Sequence, residues 1–153
     1  MAVSRRGLFG RLVAAAAAGT AAFHVTEAAA TAGEEKGIPR VAYHLSDREK
    51  VQFVLGNIEN HIAGMGGPDK VRIALVVNGP ALLMFKSAAA NPDLERRLAR
   101  IKGNGVGLGA CGNTLDAQKL SVADLLPGFV RIEEGGVVRL HQLQMEGYAY
   151  IRP

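Results

Sequence analysis

The chain of 153 residues contains a single cysteine, Cys111, and four histidines. One thiol cannot close an internal disulfide. Its available chemistry is nucleophilic. As a thiolate it can attack a sulfur donor and carry the sulfur as a persulfide. Cys111 follows the glycine-rich run GVGLGA and opens the sequence CGNTL. Residues after it could begin a helix, whose first N–H groups and positive dipole end favour thiolate over thiol. The competing reading is a buried, inert cysteine packed as a small hydrophobe.

Other polar residues sit where strands are predicted to end. His44 closes one apolar run, as a base or hydrogen-bond donor or as a strand-end histidine bonded to backbone. Asn78 closes a second run and could cap a helix begun by Pro80. Asn113 could cap or fix the Cys111 loop. His61, beside Asn60, falls off the main apolar stripe of its helix and reads as a rim position. His141 reads as structural. No histidines or carboxylates have metal-ligand spacing, so no metal is expected. The glycines of 103–109 lack the order of a dinucleotide fingerprint, and there is no phosphate-binding loop, so no cofactor is expected.

The elements that must position these residues alternate in type. RVAYHL (40–45) reads as a strand. The spacing of Val51, Val54, Leu55, Ile58, Ile62 and Met65 predicts a helix over 46–64, with Ser46 and Glu49 as a capping box. VRIALVV (71–77) is the unbroken apolar run of a strand buried on both faces. A helix is predicted from Pro80 to about Ala90 and another over 93–102. The run 105–110 is a strand weakened by glycine. A short helix is expected over 121–126, a strand over 129–132, a helix over 136–147 and a last strand over 148–151. This alternation predicts an α/β fold with a mostly parallel sheet. Ligands in such sheets bind beyond the carboxyl ends of the strands. If the first three strands are neighbours, His44, Asn78 and Cys111 share one crevice.

The N-terminus reads differently. Ser4-Arg5-Arg6 with Leu8-Phe9 matches a twin-arginine export pattern. A 12-residue apolar run from Leu12 to Phe23 and small residues at 28–32 follow. The run falls short of the ~20 residues that span a bilayer. Residues 1–32 are thus expected to be a signal peptide, 33–38 a linker and 39–153 one domain in the periplasm, with membrane contact only through the signal segment. The net charge of +4 includes three arginines and one glutamate of this leader, leaving +2 for the rest. No basic cluster interleaves with aromatics, so nucleic-acid binding is not expected.

VGLGACGNTL, Leu125-Leu126-Pro127-Gly128 and GVVRLHQLQMEGYAYIRP together resemble the DsrE/DsrF-like family, its envelope-exported members above all. Asn60 in NIENHI and Gly79 in NGPALL fit the same pattern. The resemblance implies a three-layer α/β/α, flavodoxin-like fold with about five strands. It implies a homo-oligomer, trimer or hexamer, and a sulfur relay with a donor or acceptor protein or a small thiol or sulfur compound. Cys111 is where the sulfur-carrying cysteine maps, with His44, Asn60, Asn78, Gly79 and Asn113 as binding or supporting residues. Related sequences often place a histidine where this chain has Asn78, so a basic partner for the thiol would be missing unless His44 replaces it. The same fold without catalysis, as a module binding a small ligand or partner, is the alternative; whether the protein is an enzyme is left open.

Overall fold

The computed structural model describes residues 37–88 and 90–153. The expected signal peptide, and the linker up to residue 36, lie outside the described residues. Five strands form one parallel sheet: β1 (Arg40–Leu45), β2 (Arg72–Val77), β3 (Gly107–Cys111), β4 (Phe129–Ile132) and β5 (Ala149–Ile151). Their order is β4-β3-β2-β1-β5, with every pairing parallel. Among the described residues the α-helices are α1 (Val51–Gly64), α2 (Pro92–Gly103), α3 (Gly112–Ala117) and α4 (Gly136–Met145).

Two apolar clusters cover the two faces of the sheet. Val41, Tyr43, Leu45, Leu75, Val77, Leu108 and Ala110 point toward α1 and α2, against Leu55, Ile58, Leu94, Leu98 and Ile101. The alternate residues Ala42, Val76 and Ile132 point the other way, against Leu140 and Leu143 of α4. Strand residues alternate between faces, so both faces must be apolar, as the run in β2 is. The result is the three-layer α/β/α arrangement expected of a flavodoxin-like fold. The steps from β1 to β4 each move one strand along the sheet. α4 then runs back across β3, β2 and β1 to deliver β5 beside β1.

Several local expectations change. The first helix does not begin at Ser46: a 3-10 turn over Arg48–Lys50 precedes α1, and no side chain caps it. The Ser46 carbonyl accepts the Ala81 N–H at 3.0 Å, and the Ser46 hydroxyl accepts from Arg152 at 2.9 Å. Ser46 therefore ties three segments together instead of opening a helix. The helix expected from Pro80 to about Ala90 is a 3-10 helix, Gly79–Phe85. It stops because Lys86 bridges Leu125 and the Ser87 N–H donates to the Asp124 carbonyl, which draws the chain into extended form. The helix expected over 121–126 contracts to a 3-10 turn, Val122–Asp124, closed by a Ser121–Asp124 capping box. The glycine-rich run is a true strand and includes Cys111.

Candidate functional site at the carboxyl edge of the sheet

β1, β2 and β3 are neighbours, which sets the carboxyl ends of these strands side by side. Val77 pairs with Ala110, which puts Asn78 beside Cys111 one step further along. His44 pairs with Val76 on the other side. Cys111 follows Ala110, which faces the α1/α2 layer, so its side chain turns to the α4 layer. There the Gly136 N–H, at the start of α4, donates to Cys111 Sγ at 3.1 Å.

A glycine eases that approach. A Cβ on Gly136 would stand 3.3 Å from Cys111 Cβ, 3.3 Å from Val76 Cγ1 and 3.6 Å from Asn78 Cβ. With none present, the first turn of α4 settles directly over β2 and β3. Cys111 is consequently 5% exposed.

The sulfur is buried, but polar groups converge on it. Cys111 is the N-cap of α3, though its side chain closes no full cap hydrogen bond. Burial pushes the thiol pKa up. The Thr114 hydroxyl and the N–H groups of Gly136, Thr114 and Asn113 outweigh burial, so the thiol lies below its ordinary value. Hydrogen bonds to the charged form favour that form. The Thr114 hydroxyl also accepts the Gly79 N–H at 3.1 Å, and Gln118 Nε2 donates to the Gly79 carbonyl at 2.9 Å. The loop after β2 is thereby pinned to α3.

His44 and Asn78 form their own chain. His44 Nε2 donates to Asn78 Oδ1 at 3.1 Å, and Tyr150 Oη donates to His44 Nδ1 at 2.8 Å. Burial is the largest influence on His44 and lowers its pKa, helped by Arg152 and opposed by the Asn78 bond and Asp47. Burial thus favours the neutral ring. Both of its nitrogens are occupied, so it reaches the Cys111 neighbourhood only through Asn78. Asn78 does not cap the segment begun by Pro80; its amide oxygen goes to His44 instead.

The remaining expected residues divide. Asn113 follows the thiol by two residues in the first turn of α3, where it favours the thiolate, and its amide lies against Gly135. Asn60 is not brought to Cys111. It lies on α1, in the opposite layer, where it lines an open groove with Tyr43, Phe53 and His61. His61 stands at the rim of this groove, where its Nδ1 meets the Tyr43 hydroxyl at 2.9 Å. His141 is exposed on α4.

Sequence reasoning missed Thr114, Gly136 and Tyr150. Thr114 could have been found, since it stands three residues after the N-cap, the spacing of a capping box. Gly136 carried a weaker signal, the Gly135-Gly136 pair opening a helix. Tyr150 carried none, because only the return of α4 brings β5 beside β1.

No curated protein matches the chain. The model of the DsrE/DsrF-like family matches residues 8–153. Among solved structures, the chain is similar to MTH1491, a protein of unknown function from Methanobacterium thermoautotrophicum. Identity is 30%, with 75% of this chain and 99% of that one covered and a TM-score of 0.65. It also shares a fold with the ychN protein from E. coli, at 14% identity, a TM-score of 0.56 and coverage of 74% and 99%. A conserved protein of unknown function, BT1422 from Bacteroides thetaiotaomicron, is similar at 12% identity, a TM-score of 0.56 and coverage of 74% and 94%.

Proposed function

We propose that this chain, which belongs to the DsrE/DsrF-like family, carries sulfur on Cys111. The observation that carries this reading is the Gly136 N–H, which donates to the sulfur at 3.1 Å, in surroundings that lower the thiol pKa although burial raises it. A purely packed cysteine would be met by apolar atoms. Here burial alone would hold the proton on, and the donors reverse it.

The step balances without an outside oxidant. Cys111 thiolate attacks the outer, sulfane sulfur of a persulfide R–S–SH. The donor S–S bond breaks, a new S–S bond forms on Cys111, and R–S⁻ leaves with the electron pair. Transfer to an acceptor thiolate is the reverse of the same exchange. The sequence supports export by the twin-arginine pathway to the periplasm, through Ser4-Arg5-Arg6 and the apolar run after it. Assembly into a homo-oligomer is part of the same reading. Val137 and Met145 on α4 and Val130 on the edge strand β4 are 72%, 77% and 68% exposed, apolar surface that suits burial against other copies.

One observation favours the second reading, a ligand- or partner-binding module in which Cys111 only packs: the 5% exposure of that residue. Intact mass after incubation with polysulfide separates the two. Gain of sulfur by the native protein, lost in Cys111→Ser, is the expected result. An unchanged mass together with slow alkylation at neutral pH would exclude the carrier.

A further inference from the structure

We propose that the outer face of α4 packs antiparallel on the same face of a second copy, about a twofold axis that passes beside His141. This rests on the assembly reading above and names its surface and symmetry. α4 has two apolar faces. Leu140 and Leu143 are buried against Ala42 and Val76 of the sheet. Val137, Val138 and Met145 lie on the outer side, 72%, 46% and 77% exposed, with exposed His141 among them. A surface helix ordinarily turns charged and polar residues outward. An apolar outer stripe along nearly the whole helix marks a surface that a partner covers.

The stripe itself fits a second copy. It reads the same in both directions: Val137, His141 and Met145 are spaced four and four, so they share one side of the helix, with an apolar residue at each end and the histidine between. An antiparallel pair centred on His141 sets Val137 of each copy against Met145 of the other. That exchange is what an isologous, twofold interface requires.

The charges agree with self-pairing. The stripe carries no carboxylate, lysine or arginine. The charged residues of α4 bond each other away from it: Arg139 Nη1 donates to Glu146 Oε1 at 2.9 Å and to Gln142 Oε1 at 3.2 Å. Like faces therefore meet without like charges meeting. Tyr150 widens the patch. It pairs with Ala42, so it stands on the α4 side of the sheet, and it is 42% exposed on the edge strand β5. A twofold contact makes a dimer, or a hexamer where it joins two threefold rings; it excludes a trimer as the whole assembly.

The test is sedimentation equilibrium of the purified protein beside Val137→Glu and Met145→Glu. Both positions are exposed in one copy, so the variants should fold, which thermal melting checks. Each would bury unpaired carboxylates at the contact. Either should halve the assembled mass, from dimer to monomer or from hexamer to trimer. The symmetry is read with a short bis-maleimide in a Cys111→Ser background. His141→Cys should link to its own kind. Val137→Cys and Met145→Cys should link poorly alone and well when mixed. Glu95→Cys, exposed on α2 in the opposite layer, should not link. An assembly whose mass both glutamate variants leave unchanged overturns this face and leaves the assembly reading standing. A protein that stays monomeric removes both. Mass that halves without linkage at His141→Cys or between Val137→Cys and Met145→Cys overturns the twofold pairing.

Discussion

The Gly136 N–H donates to the Cys111 sulfur across 25 residues of sequence, so the start of α4 and the end of β3 are one chemical unit. Gly136→Ala tests this unit from the helix side. The new Cβ would lie 3.3 Å from both Cys111 Cβ and Val76 Cγ1, and the first turn of α4 must lift by a few tenths of an ångström to admit it. The N–H···S bond lengthens, and the thiol loses a donor. The titration midpoint should rise by about half a unit. Stability should change less, because replacing glycine also narrows the unfolded ensemble. Thiol titration beside thermal melting checks the pair; a lowered melting point with an unmoved midpoint would show that Gly136 matters only for packing.

His44 gives stability a pH dependence of defined sign. Burial lowers its pKa from the ordinary 6.5. Below 6.5 the unfolded chain takes up a proton that the folded chain refuses, so the unfolded state binds more protons and stability rises with pH. The contribution is complete above the unfolded value and is lost as pH falls from there toward the folded value. Melting temperatures between about pH 5 and about pH 8 should fall on the acid side. In His44→Gln, which cannot titrate, that part of the slope should flatten. Equal slopes in the two proteins would remove His44 as the source.

The parts of the fold legible from sequence were those set by local pattern. β2 follows from its unbroken apolar run and α1 from the 3.6-residue spacing, and Val51, Val54, Leu55, Ile58 and Ile62 of that stripe are buried while Met65, past the end of α1, is exposed. What was not legible depends on tertiary partners. Nothing near Lys86 announces that Leu125 will bridge it and end the helix begun at Gly79. The same holds at the site. Cys111, Asn78 and His44 were visible as polar residues at strand ends, and neighbouring strands bring them to one edge. Which of them bond depends on facing directions: Asn78 turns to His44, while the sulfur finds the Gly136 N–H. Asn60, which the resemblance grouped with the thiol, sits in the other helical layer.

Phe85 links core packing to the site. It closes the 3-10 helix that begins at Gly79, is fully buried, and meets Phe129 of β4 edge-on with ring centroids 5.1 Å apart. Its carbonyl accepts the Leu126 N–H at 2.8 Å. Phe85→Ala should cost about 3–5 kcal/mol through lost burial and the cavity left behind, with the edge-on aromatic pair contributing about 1 kcal/mol of that. A domain of this size has roughly 5–15 kcal/mol in total, so the variant should be folded but marginal. The loss should not stay in the core. The segment from Gly79 to Phe85 is anchored at one end by Thr114 and Gln118 and at the other by Phe85, and freeing the second end lets the first fray. Phe85→Leu, which fills most of the space, should restore both stability and a low thiol midpoint. Urea unfolding and thiol titration of the two variants check the coupling. If Phe85→Ala loses stability yet keeps the wild-type midpoint, the Gly79 loop is held by α3 alone.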